Sequence, residues 1–390
     1  MISTKDNSSL LKNKSLRLLM TARVSTNFAY QMITVAIGWQ MYSLTHSAFY
    51  LGLVGLVQFL PMLFLSLFVG HISDRYDRRK IVTLSQVTQS VFIFIMAFGN
   101  YNELITKERF LILIFFIAVA HSFEGPPMQA LLPNIVSKEI FPRASALMSS
   151  VSEFAVIIGP AVGGILYTFG TTLVFLLTGI LYLISGILIY HISIEKEIFK
   201  SEPTSIKSLF AGISFIKSRP IILGATALLP IYASSILMIG SFGLGILRSA
   251  PAVGALLMSA YLARKPLKHN VGKTMFIAVI FFGLSTIAFA ISFIALLILG
   301  ASDVISVVIR STLVQLNTPD YMRGRVSSVN MIFIGTSNQL GEFESGITAS
   351  LFGTVPAALI GGIGTIAVVM LWMKLFPSIL HVDRFEASKN

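Results

Sequence analysis

The stretch Gly70-His71-Ile72-Ser73-Asp74-Arg75-Tyr76-Asp77-Arg78-Arg79-Lys80 decides how this chain folds. It is a knot of charge between an apolar run from Ala48 to Val69 and another from Ile81 to Phe98. Each of these charges would cost several kcal/mol in a lipid core. The stretch is therefore read as a water-exposed loop joining two membrane-spanning helices.

Bulk composition agrees. Of 390 residues, 55% are hydrophobic and 12% charged, and the mean hydropathy is +0.82. Soluble domains carry about 25% charged residues, so lipid is the main solvent of this chain. The net charge of +12 is spread in small clusters between apolar runs. That is a pattern of membrane orientation, and it argues against nucleic acid as a partner. No cysteine is present, which excludes thiol chemistry and disulfides. The polar N-terminus, Met1 to Lys14, lacks the pattern of a cleavable signal peptide.

A span needs about 20 apolar residues. Twelve are read in order: 18–43, 48–70, 81–100, 109–133, 143–168, 172–192, 220–237, 243–263, 274–291, 294–316, 326–347 and 354–376. All are expected to be helical, because a helix satisfies its own backbone in lipid. Of the 29 Lys and Arg, 24 lie in the terminal tails or the even-to-odd loops. This bias puts both termini and the Gly70–Lys80 loop in the cytoplasm. The polar stretch 194–219 divides the chain into an N-terminal six-helix bundle (1–193) and a C-terminal one (220–390). Within that stretch, 206–216 has the spacing of a helix lying on the membrane surface. A shift of 182 residues lays Leu131–Gly164 on Leu313–Gly346 with five identities in 34, as duplicated transporter halves do. The shortest interval between cytoplasmic basic clusters runs from Arg219 to Arg264 yet must hold two spans. The seventh span is thus expected to be short or broken, especially near Pro230.

With twelve spans and this loop, the chain resembles the major facilitator superfamily. The resemblance rests on Gly70, Asp74, Arg75, Arg78, Arg79 and Lys80, which follow the superfamily's motif between its second and third helices. The motif implies a conformational gate in which Asp74 pairs in one state only. Asp77 departs from it, standing where the superfamily usually has a second glycine. In the fifth span, Ala155 to Gly164 resembles the motif of proton-driven exporters through Gly159, Pro160, Gly163 and Gly164, with Ala155 replacing the leading glycine. Small residues at this spacing also serve simply to pack helices closely. Stretches Gln129–Pro133, Gly245–Gly254, Asp303–Arg310 and Arg323–Asn330 through Gly346 resemble the siderophore- and drug-efflux branch. The resemblance weakens at the seventh span.

Ionisable residues inside spans are the candidates for function, because lipid tolerates them only where they face a polar interior. Glu124 lies about 13 Å from Pro133 and Glu153 about 16 Å from Pro142 along their helices, near mid-membrane. His121 stands four residues before Gly125, where superfamily members often have an arginine. A histidine or a desolvated carboxylate can change protonation near neutral pH. Glu124, Glu153 and His121 are therefore expected to carry the driving proton, with hydrogen bonding across helices as the structural alternative. The second half offers Arg248, Asp303, Arg310, Glu342 and Glu344 for a substrate cavity, or as ion pairs locking helices together. Glu342 and Glu344 are two apart and point to different faces. Arg248 and Arg310 suit an anionic ligand. Tyr30 and Gln31, with Asn27 and Gln40, either line the same cavity or fill the bundle core.

No phosphate-binding loop, metal cluster or nucleophile motif occurs in the sequence, so neither an enzyme nor a cofactor is expected. The reading is an all-α membrane protein of twelve transmembrane helices in two pseudo-symmetric six-helix bundles. It is a monomeric inner-membrane exporter whose partners are protons, lipid and a small-molecule substrate, first a siderophore. Broad drug efflux, proton-coupled uptake and a non-transporting receptor or scaffold are the alternatives.

Overall fold

The computed structural model describes residues 13–136, 141–193, 228–264, 269–288, 293–316, 323–380 and 382. Among these, regular structure is entirely helical. The expected surface helix at 206–216 lies outside them. Among the described residues, seven helical segments are long and apolar enough to cross a membrane. The chain forms two compact units: Met1–His46 with Leu56–Ser205, and Ser47–Gly55 with Ile206–Asn390.

The first unit contains α1 (Lys14–Thr45), most of α2 (Ala48–Arg75), α3 (Arg78–Tyr101), α4 (Lys107–Ser122), α5 (Gly125–Leu131), α6 (Phe141–Thr168) and α7 (Thr171–Tyr190). Local chemistry sets several of the starts. The Asn13 side chain accepts from the Leu16 amide at 3.1 Å to cap α1, and Thr106 caps α4 by accepting from the Arg109 amide at 3.3 Å. Gly170 precedes α7 with φ of 118°, a backbone state that L side chains rarely adopt.

α7 packs against both α1 and α3. Small residues make this possible. A Cβ on Gly179 would fall 2.6 Å from the Phe94 ring, and Ser90 donates to the Gly179 carbonyl at 2.8 Å. On the other side of α1, a Cβ on Gly159 would meet the Gln31 Cβ at 2.6 Å, and one on Gly163 the Met32 Cα at 2.9 Å. Thus Gly159 and Gly163 form the seam of α6 on α1, the close approach that small residues permit in lipid.

Two expectations need correction here. The charged stretch is not a long loop, because α2 continues through Arg75 and only Tyr76 and Asp77 separate it from α3. The fourth span is not one helix. α4 stops at Ser122, α5 starts at Gly125, and a 3-10 turn, Leu132–Asn134, follows. Pro126 and Pro127 explain the break, since neither has an amide hydrogen to give the carbonyls of Ser122 and Phe123 one turn earlier.

The second unit contains α8 (Leu229–Ile231), α9 (Gly240–Arg264), α10 (Val271–Ala288), α11 (Phe293–Leu316), α12 (Arg323–Phe352), α13 (Thr354–Leu375) and α14 (Pro377–Leu380). α9 packs on α11 and α10 on both α11 and α13. Gly254 abuts the Leu297 carbonyl, Gly300 abuts the Pro251 carbonyl, and Gly283 and Gly362 face each other's backbone. Around Pro230, α8 passes into a π turn, Tyr232–Ile236. The described part of the seventh span is therefore short and irregular, while 220–227 lie outside the description. In this unit the first turns of α2 rest on α12: a Cβ on Gly52 would fall 2.9 Å from the Gly346 Cα.

Candidate functional site

The inward face of α3 carries a polar segment between apolar ones, with Val82 before it and Ile93, Met96 and Ala97 after it. Ser85, Gln86, Gln89 and Ser90 are all buried, at three- and four-residue spacing, while Leu84, Val91, Ile95 and Phe98 on other faces are exposed. The polar stripe points at Glu124, which sits in the break between α4 and α5 and is only 4% exposed. Burying an isolated carboxylate costs several kcal/mol unless it is well paired. Here Gln86 Nε2 donates to Glu124 Oε1 at 3.0 Å and Gln89 Nε2 donates to Oε2 at 2.8 Å. His121 Nδ1 lies 3.5 Å from Oε2. Arg23 on α1 and Tyr182 on α7 are within electrostatic range of the same carboxylate.

The network continues outward from each amide. Gln86 Nε2 also donates to Thr26 Oγ1 at 2.9 Å. Thr26 and Ser185 share a hydrogen bond of 2.7 Å, and Ser185 donates to the Ala22 carbonyl at 3.0 Å. Gln89 Nε2 reaches Ser85 Oγ at 3.3 Å, and Ser85 donates to the Ala120 carbonyl at 2.6 Å. The carboxylate is thereby tied to α1, α3, α4 and α7. Two neighbouring helices leave polar atoms idle: Gln86 Oε1 and Gln89 Oε1 on α3 and Thr178 Oγ1 on α7 are buried with no hydrogen-bond partner. An unmade buried bond costs about 1–3 kcal/mol.

His121 connects this interior to the surface of the unit. Its side chain is 45% exposed against 6% for Glu124, and its ring stacks on Tyr30 with centroids 5.1 Å apart and planes 14° from parallel. Of the residues expected in this half, the structure thus brings Glu124, His121 and Tyr30 together. Gln31 lies apart from them, against Gly159. The Glu153 side chain lies outside the described residues. Gln40 belongs to the core: it donates to Asn100 Oδ1 at 3.1 Å and accepts from the Tyr167 hydroxyl at 2.7 Å and Thr171 Oγ1 at 3.0 Å.

A sequence profile of the Major Facilitator Superfamily matches residues 19–342. The chain belongs to that superfamily. Among its relatives, the staphyloferrin A transporter of Staphylococcus aureus is 25% identical, over 87% of this chain and 90% of that protein. The enterobactin exporter EntS of Citrobacter koseri is 26% identical, over 95% and 94%. The crystal structure of the nucleoside transporter NupG superposes with a TM-score of 0.71 at 13% identity, covering 93% of this chain and 99% of that one. A bacterial homologue of the iron transporter ferroportin gives 0.67 at 16% identity, covering 93% and 99%. These likenesses show the fold. The chain is an all-α, multi-pass membrane transporter of the major facilitator type and not an enzyme.

In this major facilitator transporter, Gly70 lies within α2, and the side chains of Asp74 and Arg75 lie outside the described residues. Arg78 reaches the Ala130 carbonyl at 3.5 Å. The departure from the superfamily motif at Asp77 has a clear local role. Asp77 caps α3, its Oδ1 accepting from the Arg79 amide at 2.9 Å, and it pairs with the Arg79 guanidinium at 2.6 Å. Arg79 also donates to the Ile192 carbonyl at 2.7 Å, beyond the end of α7. The hydrogen bonds from Arg79 hold the Asp77 carboxyl below the usual aspartate range.

In the second unit, four of the expected charges lie within electrostatic range of a partner. Asp303 and Arg310 on α11 are within electrostatic range of each other, as are Arg248 on α9 and Glu342 on α12. The Glu342 side chain lies against Gly55. Glu344 is exposed and is bonded by Thr348 Oγ1 at 3.4 Å, so it does not share Glu342's surroundings. Gly164 is buried in α6, and Pro160 lies within that helix. Among the described residues, no group of three or more metal-ligating side chains occurs.

Sequence reasoning found Glu124 by its charge but missed Gln86, Gln89, Thr26, Tyr182 and Ser185. The available signal was a run of neutral polar residues at helical spacing inside an apolar span. Gly125-Pro126-Pro127 signalled the break in the same way.

Proposed function

We propose that this transporter exports a small anionic organic molecule, a siderophore first, in exchange for protons. The observation that carries the reading is the buried Glu124 carboxylate. It is held by neutral amides, adjoined by a half-exposed histidine and within electrostatic range of Arg23. A proton taken up at His121 has a short path to Glu124 Oε2. Glu153 is proposed as a second proton site. Arg248 and Arg310 are proposed to receive the anionic cargo with Asp303, Glu342, Glu344, Tyr30 and Gln31.

Alternating access would arise from rocking of the N-terminal bundle (1–193) against the C-terminal bundle (220–390), joined by the linker 194–219. Asp74, Arg75, Arg78 and Arg79 would latch the cytoplasmic side, with both termini in the cytoplasm of an inner membrane. Two relatives named for siderophore transport and export, aligned over most of the chain, support this cargo class.

The test begins with untargeted metabolite profiling of cells and medium from a deletion strain. Export predicts that the cargo accumulates in cells and is depleted from the medium. The identified compound is then assayed in inverted vesicles with an imposed pH gradient. Glu124→Gln is expected to abolish gradient-driven movement. Depletion from cells would instead mean uptake, and unchanged coupling in Glu124→Gln, Glu153→Gln and the double variant would overturn the proton assignment.

A further inference from the structure

The hydrogen-bond network around Glu124 has a direction, and that direction is set by its charge. Ser185 gives its only hydroxyl hydrogen to the Ala22 carbonyl, so in the Thr26–Ser185 pair Thr26 is the donor. Thr26 therefore accepts from Gln86, whose two amide hydrogens go to Thr26 and to Glu124 Oε1. The second branch has the same polarity. Ser85 gives its hydrogen to the Ala120 carbonyl and accepts from Gln89, whose amide hydrogens go to Ser85 and to Glu124 Oε2. Both amides thus turn their donors toward an ionised carboxylate. The cost is visible on the far side of each, where Gln86 Oε1 and Gln89 Oε1 are buried and idle.

A protonated carboxyl inverts the demand at one oxygen, which becomes a donor needing an acceptor. The oxygen nearest the half-exposed His121 is Oε2, the one facing Gln89. Half a turn about the Cγ–Cδ bond of Gln89 brings its idle oxygen to that place. There it can accept both the new Glu124 O–H and the Ser85 O–H. Ser85 then releases the Ala120 carbonyl, loosening the tie between α3 and the last turn of α4 beside the helix break. Glu124 Oε1 stays an acceptor, and Gln86 has no reason to turn.

We propose that Gln86 and Gln89 are positioning residues of the proton site, Gln86 a fixed clamp on the ionised carboxylate and Gln89 an amide that turns over when Glu124 takes a proton. The proposal rests on the reading of Glu124 as a proton carrier. It assigns work to α3, which contributes no ionisable residue to the site. The charged or titratable groups facing Glu124 from its neighbours are Arg23 and Tyr30 on α1, His121 on α4 and Tyr182 on α7. The Glu153 side chain on α6 lies outside the described residues. Replacing either glutamine leaves all these charges in place.

The experiment is an infrared pH titration of the full-length protein in phosphatidylethanolamine–phosphatidylglycerol vesicles, with Glu124→Gln used to assign the carboxyl band. Gln86→Met keeps the shape but removes a hydrogen bond to the charged form. It should raise the pH midpoint of the Glu124 band by about one unit, a tenfold change in proton affinity. Gln89→Met should raise it less and should erase a glutamine amide signal that titrates with Glu124 in the wild type. Gln86→Asn and Gln89→Asn, which withdraw the amide by one methylene, give the same directions if a Met variant does not assemble. An unmoved midpoint in the Gln86 variants, or an amide signal that survives in the Gln89 variants, would overturn the proposal. A shifted midpoint in a protein that shows no gradient-driven export would leave this inference standing and sink the exporter reading. The absence of any Glu124 band would sink both.

Discussion

The first unit holds two polar knots made from the same kind of side chain. At one, Gln40 gives and accepts through both ends of its amide, joining α1 to Asn100, Tyr167 and Thr171, and Asn100 passes on to Thr172 at 2.9 Å. Every member is neutral, and no atom of Gln40 is among the buried unpartnered ones. At the other, Gln86 and Gln89 spend their donors on a carboxylate and leave both oxygens idle. The first knot has one satisfied arrangement and serves stability. The second holds a carboxylate whose protonation, as we propose, would call for a different arrangement. An amide in a membrane interior is therefore read by what its second end touches.

That contrast can be broken most severely at Glu124. Glu124→Gln should remove the pH dependence of transport altogether while leaving the protein folded, because a neutral amide is cheaper to bury than a carboxylate. Gradient-driven flux and a thermal melt of the same preparation check the two halves of this statement. Gln40→Leu should do the reverse. It strands the Tyr167, Thr171 and Asn100 groups and should cost about 1–3 kcal/mol, seen as a lower melting temperature with the pH midpoint of transport unchanged.

Gly163→Val tests whether the α6 seam is packing. The added atoms fall on the Met32 backbone, and overpacking of this kind costs about 1–3 kcal/mol. Stability should drop and proton affinity should not. Smallest is Asp77→Ala, which removes the α3 cap at a cost of about 0.5–2 kcal/mol. Because Arg79 depresses the Asp77 carboxyl, the wild-type advantage should be complete above about pH 4, the ordinary aspartate value. It should fade as the pH falls further through the lowered native value. Melting temperatures of the two proteins across acid pH check the sign.

The all-helical, membrane-spanning class was legible in hydropathy, because lipid punishes misplaced charge so heavily. Glu124 was legible for the same reason. Its partners were not, since a glutamine barely disturbs the hydropathy of a span. Whether Gln31, Gln40, Gln86 or Gln89 meets the carboxylate depends on how four helices pack. The two-residue link at Tyr76–Asp77 escaped because charged residues can extend a helix beyond the lipid. The break at Phe123–Glu124 escaped because counting apolar residues ignores which of them lack an amide hydrogen.

That break also has a mechanical meaning. Tight turns close the joint, with the Phe123 amide on Ala120, the Glu124 amide on His121 and the Met128 amide on Glu124. Pro126 and Pro127 withhold two of the amide hydrogens that a through-running helix would use there. An intact span is a stiff rod that carries torque from end to end, whereas this one is a two-piece lever with Glu124 at its pivot. The α5 piece is anchored on its own side of the joint, where Met128 and Leu131 pack in one core cluster with Leu16, Leu19 and Val82.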